Sequence, residues 1–273
     1  MTNFKRNPAT MPSGILIYPP VDPPGPPGPP PTPWHPTGHG LLYNFLAVED
    51  SRNIAPTGWE VWDEDAVINL VVELKSLNPA EDYPLGPNNR TGRKLKTTWD
   101  RDTDGFPGFV NNKNSNNLSY LFFTPTGMRS GKSGDFFHEG YYGYTWVNRI
   151  LSQTGGYYYP YFLQVTNKNL LSYTPGTFWN WNIWTALKYG FSVRCYAPKS
   201  SGESNGYTGT VTDIDSNVYQ YTVWGDYRYM MENLKVTKYR NGNSITHATG
   251  DAAWSSATGG AYCAYDNNSN YIG

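Results

Sequence analysis

The sequence predicts an α+β domain dominated by short strands, carried on an extended proline-rich arm. Three observations predict it. Thirteen of the 22 prolines fall in the first 36 residues, so packing begins only after them. Aromatic residues make up 16% of the chain, with Tyr far ahead of Phe and Trp, and Gly, Asn, Ser and Thr fill much of the rest. That is the composition of strands and turns. Only one stretch, residues 63–77, carries a sustained helical period. The remaining chain is long enough to bury a sizeable core.

The arm comes first. Residues 1–13 are polar, and Met1 to Ser13 lacks the apolar run of a secretory signal. Taken as the true start, this predicts synthesis in the cytosol without export by the usual route. Ile15-Leu16-Ile17-Tyr18 is a short apolar run with strand character and no local partner. It reads as an assembly anchor that adds a strand to a neighbouring sheet. Residues 19–36, PPVDPPGPPGPPPTPWHP, must be extended polyproline II, because proline fixes φ and removes the donor N–H. The stretch is a semi-rigid spacer. Gly25 to Pro30 matches two collagen triplets, which suit three chains already brought together and favour a homotrimer over a dimer.

Globular sequence starts near Leu41. In 63–77 (DEDAVINLVVELKSL) acidic residues crowd the first turn, where the helix dipole favours them. Val67, Leu70, Val71, Leu74 and Leu77 recur at helical spacing. Beyond Pro79 short strands alternate with Gly, Asn and Pro turns. Residues 198–208 (PKSSGESNGYT) read as a flexible linker, and a second strand-rich piece fills 209–273.

Charge and cysteines narrow the function. The net charge is −1 with no basic tract, which gives nucleic acid nothing to grip. No apolar run approaches the ~20 residues that span a bilayer, so no membrane insertion is expected. Cys195 and Cys263 are too few for a disulfide framework or zinc cluster, and they read as buried thiols. His35, His39, His138 and His247 read as scattered surface or turn histidines, since none lies in a catalytic or metal motif. Asp100, Asp102 and Asp104 imitate the opening of a calcium loop. The closing Glu is missing, since Asn111 holds the twelfth position. An Asp-rich turn is the reading, with calcium as the alternative; no other cofactor is expected. Asp213 to Asn217 reads as an ordinary turn.

The richest feature is the aromatic stretch 141–184, where Asn, Gln, Ser and Gly fill the gaps. Tyr and Trp offer large rigid contact area, and binding hot spots favour them together with Arg. Runs such as Tyr157-Tyr158-Tyr159 cannot all face inward, because strand side chains alternate. The stretch therefore divides between core and surface. Tyr158, Tyr161, Trp179 and Trp181 are the candidate ligand-binding rings, with Asn148, Arg149, Asn180 and Asn182 as polar partners. They are expected at the end of the domain farthest from the stalk.

Two blocks carry a resemblance. The first runs from GLLYN (40–44) through APTGW (55–59), KLK (94–96), Trp99 and GYYGYTW (140–146) to YGFSVRC (189–195). The second reads GTVTDID (209–215), MENL (231–234) and GAYCAYD (260–266). Together they resemble the Fibrobacter succinogenes major paralogous domain family, whose members look like C-type-lectin folds. The resemblance implies one lectin-like domain over 38–273, with short twisted antiparallel sheets, one main helix and long loops. The arm and stalk would occupy 1–37. In the family the block matching 209–273 precedes the one matching 40–195. The exchanged order here is that of a circular permutation, with 198–208 joining the old ends. Trp62-Asp63 stands where the family usually has Pro-Thr-Asp; Asp63 still serves as N-cap. The calcium-dependent sugar motifs of C-type lectins are absent, and the two cysteines do not match the copper site of lectin-like oxidases.

The resulting expectation is a non-enzymatic bacteriophage virion protein, a head or tail fibre, displaying a lectin-like adhesion domain. Its arm would join other virion proteins, and its domain would bind a host-surface protein or glycan. The alternative is an exported bacterial cell-surface adhesin of the same family. An enzyme lacks a supporting constellation.

Overall fold

A computed structural model describes residues 37–76, 92–96, 98, 102, 104, 107–112, 117–153, 157–167, 171–175 and 183–273. Three small sheets account for thirteen strands among these residues. Helices are few, and only one exceeds a turn or two. The chain is thus α+β and β-dominated.

The first sheet joins the start of the described chain to its end. Strand β1 (Leu42–Tyr43) pairs antiparallel with β13 (Ala261–Cys263), and β12 (Thr246–His247) lies on the far side of β13. The second sheet mixes both sequence blocks. Its order is β2 (Glu60–Val61), β8 (Cys195–Pro198), β11 (Tyr227–Met230), β10 (Val218–Trp224) and β9 (Thr208–Thr212). The seam between the blocks is the β8–β11 pair, where Tyr196 opposes Tyr229. The third sheet runs β4 (Phe136–Glu139), β3 (Thr126–Arg129), β5 (Tyr142–Gln153), β6 (Tyr157–Thr166), β7 (Leu171–Pro175).

Alternation along β5 explains why two cores form. Tyr144 and Trp146 point to one side, where they meet Phe45, Phe191, Tyr219, Met230 and Leu234 in the larger core. Val147 points to the other side, with Leu163 and Val165 of β6. Successive strand residues face opposite ways, so one strand can serve both. Trp146 is fixed further by its indole N–H, which donates to the Tyr43 carbonyl at 2.7 Å. A buried indole needs such an acceptor.

The second core is roofed by helix α2 (Glu64–Ser76), the element expected over 63–77. Asp63 caps it, its Oδ1 accepting the Ala66 N–H at 2.9 Å. Val67, Leu70, Val71 and Leu74 are buried against Trp62, Trp224 and Tyr229. Leu77 lies outside the described residues. No described helix is long and apolar enough to cross a membrane.

The two ends of the domain close on each other. The His39 and Gly40 N–H groups donate to the carbonyls of Tyr271 and Ile272 at 2.6 and 3.1 Å. Leu41 N–H donates to Leu234 at 3.0 Å. Gly40 has φ 71°, and a Cβ there would stand 2.9 Å from Asn233 Cβ, so the crossing requires glycine.

Two sequence expectations are corrected. Residues 198–208 are not a loose linker. Glu203 holds Arg228 at 2.7 Å and accepts the Ser200 N–H, while the Gly206 N–H donates to Val223. The polar residues that suggested flexibility are spent on these bonds. His39 is not a surface histidine. It is buried, stacks on Tyr271, and sits 3.1 Å from a Glu139 carboxylate oxygen. His138 and His247 are exposed, and His35 lies outside the described residues.

Candidate binding surface

The β5–β6 hairpin carries the described part of the expected site. Its ladder is regular from Tyr142↔Thr166 to Val147↔Tyr161, then resumes at Ile150↔Pro160. Asn148 and Arg149 are therefore the two bulged residues. The cause lies on the partner strand, because Pro160 has no N–H to donate to the ladder. The freed Asn148 N–H turns instead to the Trp62 carbonyl at 2.7 Å. Bulges re-aim side chains and recur beside functional sites. Here the bulge leaves Asn148 exposed and Arg149 half-buried.

Arg149 is held from two sides. Its guanidinium carbon lies 4.6 Å from the centre of the Tyr161 ring, a cation–π distance. Its NH1 also forms an ion pair with Glu64 at the start of α2. Both charged side chains remain partly exposed. Sequence reasoning assigned Glu64 only to the helix dipole; nothing local signals that a bulge in β5 delivers Arg149 to it. The result is a half-buried ledge of one ring, one fixed guanidinium and one exposed amide side chain.

Other expected residues fall less clearly. Tyr158 occupies a β6 position opposite Ser152. Trp179, Asn180, Trp181 and Asn182 lie outside the described residues, as do Ile15, Leu16, Ile17, Tyr18 and Asp100. Within the described part of the aromatic stretch, Tyr144, Trp146 and Phe162 are core, Tyr141 is exposed, and Tyr142 and Tyr161 lie between. The division between core and surface follows the strand alternation.

Asp102 accepts the Asn111 N–H at 3.0 Å, and Asn111 has φ 51°. The Asp102 carboxylate is thus engaged by a backbone N–H. Among the described residues no group of three His, Cys, Asp or Glu side chains is placed to hold a metal ion. In the 213–217 turn, Asp213 accepts the N–H groups of Asp215 and Asn217 and the Tyr219 hydroxyl. That carboxylate lines a cavity of 160 Å³ with Ile54, Val236 and Arg240. Arg240 in turn donates to the carbonyls of Ala55, Pro56 and Trp59, so the charged groups of the cavity are already engaged.

Two thiols lie in the interior. Both are free and buried in different cores, Cys195 in the larger one and Cys263 beside Trp254. Burial raises both, Cys263 to about 11, which keeps them protonated at neutral pH.

With this geometry in place, comparison with known families assigns a class. The family model described as the Fibrobacter succinogenes major domain matches residues 29–196. The chain belongs to that family. The match covers the first sequence block and ends one residue beyond Cys195. No curated protein and no solved structure matches the chain.

Proposed function

We propose that the chain is a bacteriophage virion protein, a head or tail fibre, whose lectin-like domain adheres to a host surface. The observation that carries the reading is the bulged ledge on the β5–β6 hairpin. Asn148, Arg149 and Tyr161 combine an aromatic face, a positioned cation and an adaptable amide; Tyr and Arg are enriched in binding hot spots, and Asn supplies adaptable hydrogen bonding. The course of β5 supports the same reading. The arm enters beside Glu139, just before β5, and the twelve residues of β5 then carry the chain away. At roughly 3.3 Å per residue, the bulge lies on the order of 20 Å farther along the strand. A stalk leaving at the arm root would present that hairpin outward.

The proposal has two structural parts. Residues 209–273 complete the family domain by circular permutation, supported by the β8–β11 seam and by the pairing of Gly40 with Ile272. Permutation is tolerated where old ends lie close together at the surface. Residues 1–37 would join other virion proteins, and the collagen-like triplets favour a trimer. The domain acts by binding rather than by catalysis.

Antibodies raised against the chain should label purified virions, and the isolated protein should attach to host cells. Particles that lack the chain would overturn the virion reading. Failure of the protein to attach to any host would overturn the adhesion reading.

A further inference from the structure

The second sheet ends on an open edge. Strand β9 is its last strand and, among the described residues, pairs with β10 alone. The hydrogen bonds at its two ends fix which groups face out. Val223 N–H donates to the Tyr207 carbonyl, and Asp213 N–H donates to the Asn217 carbonyl. On the other side of β10, Met231 N–H donates to the Gln220 carbonyl. Odd-numbered β10 residues therefore bond to β9 and even-numbered ones to β11. An antiparallel ladder uses alternate residues, so Gly209 and Val211 bond inward. The N–H and C=O groups of Thr208, Thr210 and Thr212 point away from the sheet. All three threonines are exposed. Their side chains share the outer face, since Val211 packs on the larger core and a Cβ at Gly209 would strike the Tyr221 side chain.

This edge lacks the usual guards. Open edges invite pairing with another chain, and proteins blunt them with charge, proline, bulges or shortness. The opposite edge of the same sheet, β2, has two residues and carries Glu60. In the third sheet, β4 carries Glu139 and holds His138 at φ 69°, and β7 ends on Pro175. Strand β9 runs five residues, Thr-Gly-Thr-Val-Thr, with no charge, no proline and an unbroken register. Large apolar side chains lie exposed around it: Tyr207 just before it at 48%, Ile214 just beyond it at 43%, and Val218 opposite Thr212 at 54%.

We propose that β9 pairs antiparallel with β9 of a second copy of this chain, across a two-fold axis at Thr210, so that two sheets become one. The strand itself selects that occupant. An isologous contact requires a self-complementary patch, and the threonines are symmetric about Thr210. In this register Thr210 faces Thr210, and Thr208 faces Thr212 of the second copy. Each is a hydrogen-bonded pair that exchanges both N–H to C=O bonds. Threonines opposed on one face add to the stability of a sheet. The same register brings Tyr207 of one copy beside the Asp213–Ile214 corner of the other, so an exposed ring meets an exposed aliphatic side chain. No charge confronts itself there. Residues 206–212 contain none, and Glu203 and Asp215 are held by Arg228 and Lys238. An edge of five residues buries less than a standard interface. The contact is therefore weak between free chains and effective between copies already held near one another. It uses neither the arm nor the β5–β6 hairpin.

The test is disulfide trapping in the full chain, read on denaturing non-reducing gels, where only covalent pairs survive. Cα atoms of a hydrogen-bonded antiparallel pair lie about 5.5 Å apart, within disulfide reach. Thr210→Cys should form a covalent dimer on mild oxidation. Thr208→Cys and Thr212→Cys should each stay monomeric alone and should crosslink when mixed. The parent, whose two thiols are buried, should give no dimer. Adding Thr208→Pro to Thr210→Cys removes one outward N–H from each copy, at the first residue of the strand, where proline is tolerated. That should lower the dimer yield on the order of tenfold with near-ultraviolet circular dichroism unchanged. A silent Thr210→Cys would overturn the proposal. Crosslinking by all three single variants alone would mean random collision and would overturn it as well. A yield indifferent to Thr208→Pro would show that the backbone edge is not the contact.

Discussion

Arg194 Nε donates to the side-chain oxygen of Asn233 at 2.7 Å, and both residues are buried. One comes from the first sequence block and the other from the second. Asn233 passes the connection on, its Nδ2 donating to the His39 carbonyl at 2.9 Å. Arg194 also reaches the carbonyls of Leu121, Met230 and Phe122 and lies 4.1 Å from the Phe123 ring centre. Burial lowers its pKa to about 9, with the nearby Glu232 carboxylate opposing the shift. Asn233→Ala would leave a guanidinium N–H without its acceptor. The expected loss is about 2 kcal/mol, read from denaturant midpoints at unchanged slope. A loss within error would show that the pair is replaceable.

The seam between blocks gives a sharper test. Tyr219, Val223, Met230 and Leu234 of the second block share one core with Tyr43, Trp146 and Phe191 of the first. A chain ending at Tyr207 should therefore fail to fold cooperatively. Residues 209–273 supplied as a separate polypeptide should restore a single unfolding transition. Cooperative folding of the truncated chain alone would contradict a shared core.

Both thiols should resist modification in the native state. A thiol reagent should label neither Cys195 nor Cys263 at neutral pH, and label both after unfolding. Rapid native labelling of Cys263 would mean that its cluster opens locally.

Alkaline pH should unfold the protein through its tyrosines. Burial raises Tyr189 and Tyr239 from the ordinary 10.0 to about 12 and also pushes Tyr43 and Tyr219 up. For a group raised on folding, the stabilisation is complete below pH 10 and is lost as pH rises toward its folded value. Stability should hold to about pH 10 and fall between 10 and 12. Phenolate absorbance should rise in two phases, the later one belonging to the buried core set. A single phase centred near pH 10 would show the core rings to be accessible.

What the sequence disclosed depends on the range of the contacts involved. Helix α2 was legible because its cap, its acidic first turn and its apolar stripe are local signals. The 213–217 turn was legible for the same reason. The ledge was legible only as residue types. That Asn148 and Arg149 bulge follows from Pro160 on another strand, and that Arg149 meets Glu64 follows from packing across 85 residues. His39 was misjudged because its partners, Glu139 and Tyr271, are 100 and 232 residues away. The 198–208 segment was misjudged because turn-rich composition does not reveal that Arg228 reaches back to Glu203.

The bulge also makes the last prediction the most direct. Asn148 is exposed, and Arg149 is partly exposed and joined to Glu64 by an ion pair of the kind worth about 0–1 kcal/mol at a surface. Asn148→Ala and Arg149→Ala should therefore change stability by about 0.5 kcal/mol or less. If the ledge is the binding face, one of them should weaken attachment by about 2 kcal/mol, roughly 30-fold. Glu64→Gln separates contact from positioning. It keeps Arg149 but removes the charge that steers it, so it should lower attachment by less than Arg149→Ala does. Tyr161 is a poorer probe, because its ring packs partly against the second core and its loss would mix stability with binding. The measurement is attachment of the purified chain to host cells over a concentration series, beside urea unfolding of each variant. Parent-like attachment by both Asn148→Ala and Arg149→Ala would remove the ledge from the binding face.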